Sequence, residues 1–303
     1  MQKEARRSAT VGGVGDSGLF AQLIDGSLGM AYGASSATLL LAVGVAPALA
    51  SASVHISEVA TTAASGISHW RFGNVDWGKM IWLTVPGALG AFGGALAVSA
   101  ISAEAAKPFV ALFLFLLGVY ILARFSFRRA HRPVVNKPIS RKFLSPLGLG
   151  AGFLDAAGGG GWGAINTSTL MSTGRMEPRK VVGTVDTSEF LVSAAASIGF
   201  FVALSFAEIP WSIVAALLIG GVIAAPLAAF IVRLLPARVL GTAVGGIILI
   251  TNMKTFLETV GVSGGTTTLI YALIAAVSLG ALAFAIFVTR QQPEEPAGEG
   301  GTV

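Results

Sequence analysis

The chain has 303 residues, of which 54% are hydrophobic and only 12% charged, and its mean hydropathy is +0.78. Soluble domains carry about 25% charged residues, so the composition excludes an ordinary soluble protein and indicates a polytopic all-α membrane protein. No cysteine is present, which removes disulfides and thiolate metal sites. The net charge of +5 lies in loops between apolar segments, where membrane topology explains it better than nucleic acid does.

Residues 1–18 form a polar, Gly-rich segment without the compact apolar run of a cleaved signal peptide. Apolar segments follow at Leu19–Gly44, Pro47–Trp70, Met80–Ile101 and Pro108–Phe125. After a basic linker over residues 126–145 come Pro146–Gly174, Pro178–Ala207, Trp211–Leu235, Arg238–Phe256 and Thr266–Thr289. A spanning helix needs about 20 apolar residues, and the pattern predicts about 7–9 membrane segments. Residues 19–125 and 146–257 read as two membrane repeats, 266–290 as a last transmembrane helix, and 291–303 as a disordered tail.

The repeats emerge when the halves are superposed. Asp25 falls on Asp155, Gly29 on Gly159, Tyr32 on Trp162, Gly33 on Gly163 and Gly44 on Gly174. One inserted residue later, Pro47 meets Pro178, His55 meets Asp186, Ser57 meets Ser188 and Glu58 meets Glu189. Acids, aromatics and prolines in the same order argue for a duplication rather than for shared Gly/Ala bias.

The tetraglycine Gly158–Gly161 lies inside an otherwise apolar segment, and each interior glycine costs a helix about 1 kcal/mol relative to Ala. Each repeat is therefore expected to begin with a broken or re-entrant segment. Loop charge sets the orientation. The linker carrying Arg124, Arg128, Arg129, Arg132, Lys137, Arg141 and Lys142 must be cytoplasmic. If Pro146–Gly174 spanned the bilayer, Arg175, Arg179, Lys180, Arg233, Arg238 and Arg290 would all lie outside. If it dips in and returns, all six lie inside. The second arrangement makes the repeats inverted, an architecture common among secondary transporters.

Five acids lie within apolar segments: Asp25, Glu58, Asp155, Asp186 and Glu189. No Lys or Arg sits at mid-segment to neutralise them, and ionisable groups at that depth are functional candidates. Ser51, His55, Glu58 and Thr62 share one helical face, and Asp186, Glu189 and Ser193 form a matching stripe. His55, one turn before Glu58, suggests a proton-accepting pair. The proton-coupling candidates are thus Asp25, His55, Glu58, Asp155, Asp186 and Glu189. The substrate candidates are Ser35, Ser36 and Thr38 after the first Gly-rich motif, with Gly159, Gly160, Gly161, Trp162, Asn166, Thr167 and Ser168 at the second. Hydroxyls, an amide and free N–H groups at the start of a half-helix suit an anion. No tight metal-ligand spacing, P-loop or nucleophile–base pair accompanies them.

On these residues the chain resembles the TauE/SafE family of sulfite exporters and organic-anion permeases. The resemblance rests on Ile24–Pro47 with Ala50–Ser53, and Leu154–Pro178 with Gly183–Ser188, and covers residues 19 to 290. It implies a secondary transporter that moves sulfite, sulfonates or similar anions across the cytoplasmic membrane with protons as the energy source. The expected partners are a small anion, protons and the lipid bilayer, with no nucleic acid, no cofactor and room for a homo-oligomer. A non-transporting scaffold and a passive anion channel are the alternatives.

Overall fold

The computed structural model describes residues 31–127, 138–231 and 237–291, with side chains described outside 222–237. All regular structure among them is helical. The helices are α1 Tyr32–Ala42, α2 Pro47–Arg71, α3 Trp77–Ser99, α4 Ala103–Ser126 and α5 Arg141–Gly158, then α6 Trp162–Ser172, α7 Pro178–Ala203, α8 Trp211–Ile231, α9 Ala237–Thr259 and α10 Gly265–Gln291. Five of these, α3, α4, α7, α9 and α10, are long and apolar enough to cross a membrane. The 25-residue α2 has the length but carries Ser51, Ser53, His55, Ser57, Glu58 and Thr62, all buried against other helices.

Local chemistry sets the helix ends. Pro47 and Pro178 open α2 and α7 at their first positions, where a missing N–H is harmless. Asp76 caps α3 by accepting from Lys79 N, and Ser102 caps α4 by accepting from Ala105 N. That second cap starts α4 at Ala103 rather than at Pro108, where apolarity alone had suggested.

Small residues draw the helix axes together. A side chain on Gly90 or Gly94 of α3 would strike the carbonyls of Leu149 and Phe153, and one on Gly148 or Gly152 of α5 those of Leu83 and Gly87. Backbones approach this closely only where side chains are small. Gly118, Gly241 and Gly245 play the same part between α4 and α9.

These contacts also fix directions. Contacts advance together along α3 and α5 (Leu83 with Gly148, Phe153 with Gly94), so the two run parallel. Asp76 N donates to Thr184 Oγ1 at one end, and Gly199 meets Phe92 and Ala95 at the other, so α7 is parallel to α3 as well. Since α5 and α7 start from the same end of the bundle, the chain between them turns back, and α6 is the returning leg. Arg124 Nη2, at the end of α4, donates to Met171 Sδ, at the end of α6, at 3.3 Å. Helix α2 is antiparallel to α7, with Ser65 against Asp186 and Glu58 against Ser193. Helix α4 is antiparallel to α9, with Gly118 against Leu249 and Ser126 against Thr242. Arg71, Lys79, Arg124, Arg141, Lys142, Arg179, Lys180, Arg238 and Arg290 accordingly share one end of the bundle. Lys180 Nζ donates to the Gly73 carbonyl at 2.5 Å there, joining the loop before α3 to the start of α7.

A candidate substrate and proton site at the glycine breaks

Helix α5 ends at Gly158, and Gly159, Gly160 and Gly161 take φ of 82°, 151° and 145° before α6 begins. Residues with side chains rarely adopt such backbone, which is why the tetraglycine ends the helix here. The amides of Gly159 and Gly160 both donate to the Asp155 carbonyl, at 2.8 and 2.9 Å, closing the last turn. Ala31 (φ 112°) stands in the equivalent place before α1.

The start of α1 touches this break. A Cβ at Gly33 would lie 2.8 Å from Gly160 Cα, 3.0 Å from Glu58 Oε1 and 3.3 Å from the Gly159 carbonyl, and one at Gly160 would fall on Ala34 N. Helix α6 runs from this junction toward the basic end of the bundle. Helix α1 runs the other way, to the turn before Pro47. Two eleven-residue helices therefore begin at one buried point and diverge. Each presents the positive end of its helix dipole, roughly half a unit charge.

Carboxylates face this point. Asp155 is 1% exposed; its Oδ1 accepts from Trp162 N at 2.8 Å, and its Oδ2 lies 3.0 Å from His55 Nε2. The aspartate thus takes up one N–H of the α6 terminus. The sequence reading pairs His55 with Glu58, one turn on. In the folded chain the carboxylate bonded to His55 is Asp155, because the ring points off α2 toward the end of α5. His55 Nδ1 lies 2.8 Å from the Ser51 carbonyl, and Ser51 Oγ donates to the Ala156 carbonyl at 2.6 Å. Glu58, 2% exposed, accepts from Ser193 Oγ at 3.2 Å.

Asp186 lies farther toward the basic end, accepting from Ser65 Oγ at 2.6 Å with His69 Nε2 at 3.8 Å. Glu189 is half-buried one turn along α7. The two acidic-polar stripes face each other across the α2–α7 contact, while Asp25 lies outside the described residues. Ser65, His69 and Ser193 join these acids; His69 escaped notice in the sequence because it sits at the polar end of its segment.

Trp162 is fully buried, its ring against Gly87, and its Nε1 donates to Ser188 Oγ at 3.1 Å and to the Val185 carbonyl at 3.2 Å. Tyr32, at the same place in α1, has its hydroxyl 3.3 Å from Ser57 Oγ and donates to the Leu217 carbonyl at 3.2 Å. Ser35, Ser36, Asn166, Thr167 and Ser168 are all buried. The Oγ of Ser35, Ser36 and Ser168, Thr167 Oγ1 and Asn166 Oδ1 have no hydrogen-bond partner among the described residues. Thr38 Oγ1 accepts from Asn252 Nδ2 at 2.8 Å. Buried polar groups are normally paired, and five of the ten unpaired buried side-chain atoms among the described residues lie on these two short helices.

Comparison with known proteins identifies the frame. The model of the sulfite exporter TauE/SafE family matches residues 17–255. A probable membrane transporter protein YtnM of Bacillus subtilis (strain 168) is 48% identical over 272 residues, covering 89% of this chain and 90% of that one. A solved chain described only as the crystal structure of a protein aligns with 94% of this chain and 99% of its own at 17% identity. Its TM-score of 0.27 is too low to bear on the fold. The chain therefore belongs to the TauE/SafE sulfite exporter family and is a multi-pass membrane transporter of the cell membrane.

Proposed function

We propose that this transporter is a secondary active carrier of a small anion (sulfite, a sulfonate or a related organic anion) coupled to protons and working by alternating access. The observation that carries the reading is the junction of two half-helices at buried glycine breaks, with Glu58 and Asp155 beside it. Two positive helix ends in a low-dielectric interior favour negative charge. Without substrate, the carboxylates supply that charge. An anion arriving beside them meets repulsion, which a proton on Glu58 removes. Proton and anion thus bind together more favourably than either alone, which is the thermodynamic condition for coupling.

Ser35, Ser36, Thr38, Asn166, Thr167 and Ser168 would hold the anion by hydroxyl and amide groups, with Gly159, Gly160 and Gly161 giving backbone access. Protons would pass between the basic end and the centre by way of Asp186 and Glu189, then Glu58, then His55 and Asp155.

An inverted duplication supports the moving parts. Ser57 and Ser188, which accompany Tyr32 and Trp162, hold equivalent positions in the two halves. The equivalent helices α2 and α7 are antiparallel partners, as are α4 and α9. With the basic end cytoplasmic, α5 and α6 form a segment that enters from the cytoplasm and returns. Rocking one repeat against the other about the central junction would expose it alternately to the two sides.

Reconstitution tests this. Sulfite flux into proteoliposomes should follow an imposed pH gradient, and Glu58→Gln or Glu189→Gln should abolish that response in folded protein. Flux indifferent to the gradient would indicate a channel. No flux of any anion, in protein that remains folded, would indicate a scaffold.

A further inference from the structure

Among the residues that the charged positions did not lead to, Asn252 of α9 is fully buried. Its Nδ2 donates to the Ile248 carbonyl, one turn back, and to Thr38 Oγ1 in α1, both at 2.8 Å. These two acceptors fix the orientation of the amide, since a flipped amide would set its oxygen against the Ile248 carbonyl. The atom left over is therefore the carbonyl oxygen, Oδ1, which has no partner among the described residues. Ser35, one turn before Thr38 on the same face of α1, also has an unpaired hydroxyl. Asn166 in α6 repeats the arrangement: its Nδ2 donates to the Trp162 carbonyl at 3.0 Å, and its Oδ1 is unpaired.

Asn252 thus holds a pure acceptor against α1, beside the Ser35 hydroxyl, which can donate or accept. A fully deprotonated oxyanion can satisfy the hydroxyls and the helix N–H groups, but it has no hydrogen for an amide carbonyl. We infer that Asn252 is a specificity-determining residue of the substrate site, and that the transported anion carries an O–H or N–H donor which Asn252 accepts. This rests on the anion-carrier reading above and narrows it. An anionic group meets the helix ends and hydroxyls, and a hydroxyl, an amine or the acid O–H of a singly protonated oxyanion meets the Asn252 carbonyl.

The test compares 2-hydroxyethanesulfonate with propanesulfonate, equal in charge and nearly equal in shape, for thermal stabilisation and flux with the full chain. A site that hydrogen-bonds a substrate hydroxyl rejects the analogue lacking it strongly. The hydroxylated sulfonate should bind at least about tenfold more tightly to the wild type. Asn252→Leu should bring the affinities of the two ligands together by weakening the hydroxylated sulfonate more than propanesulfonate. Asn252→Gln, which keeps the amide but displaces it, should reduce the preference and serves if the leucine variant does not fold. Equal binding of the two sulfonates to the wild type, or a preference that survives both substitutions, would overturn the inference while leaving anion transport intact. Failure of sulfite and of every sulfonate to bind or move would remove the anion-carrier reading and this inference together.

Discussion

Gly160→Ala tests the junction most directly. Gly160 holds φ at 151°, a region closed to side chains at a cost of about 1–3 kcal/mol. The new methyl would also fall on Ala34 N and on the backbone of Gly33, so no side-chain rotation relieves it. Overpacking of this kind adds about 1–3 kcal/mol, giving a destabilisation of about 2–6 kcal/mol unless α1 moves off α6. If α1 moves, stability is partly restored but the two helix ends separate and transport is lost. Gly150→Ala is the internal control. It lies within α5 with nothing within 4 Å of its Cβ, and it should gain up to about 1 kcal/mol of helix propensity. The assay is the apparent melting temperature in detergent together with sulfite flux in proteoliposomes. A Gly160→Ala protein with wild-type melting and wild-type flux would refute the claim that the start of α1 meets the tetraglycine break backbone to backbone.

Further substitutions probe the neighbouring contacts. Asp155→Ala strands the buried His55 ring and Trp162 N and should cost about 3–5 kcal/mol, with Asp155→Asn milder; equal melting temperatures would contradict the observed bonds. Trp162→Phe keeps most of the ring packing but loses the Nε1 bonds to Ser188 and Val185, so a loss of about 1–2 kcal/mol is expected in a denaturation series. Asp76→Ala removes the α3 cap at about 1 kcal/mol. Burial alone would raise the Asp76 carboxyl, but the hydrogen bonds and charge of Lys79 outweigh it and hold the group below its ordinary value of 3.8. A depressed native value stabilises the fold above pH ~4, and this contribution fades as pH falls through the lowered value. The melting difference between wild type and Asp76→Ala should therefore shrink in acid; a constant difference would dissociate the cap from the charge.

The half-helices were legible in the sequence because a run of four glycines and the Pro47 and Pro178 starts are local signals. So were the α2 and α7 stripes, since positions three and four apart share a helical face whatever that face meets. The basic end of the bundle could be read from loop charge, which depends on topology rather than on packing. The partners could not be read this way. His55 takes Asp155 rather than Glu58, Asp186 takes Ser65 and lies near His69, and Asn252 reaches Thr38, and each of these joins helices that are distant in the chain. Asn252 was visible as an amide in an apolar segment, but without an ionisable group it did not stand out.

The amino-acid sequence by itself determined the solvent and the inventory: a membrane protein by composition, helices by apolar run length, and a short list of polar groups too costly to bury idly. Only the tertiary structure decided that the start of α1 meets the tetraglycine break, because the approach of Gly33 to Gly160 depends on helix crossings set by small-residue contacts such as Gly90 with Leu149 and Gly245 with Leu122. Such crossings arise from shape complementarity summed over whole helix faces, which no local pattern encodes.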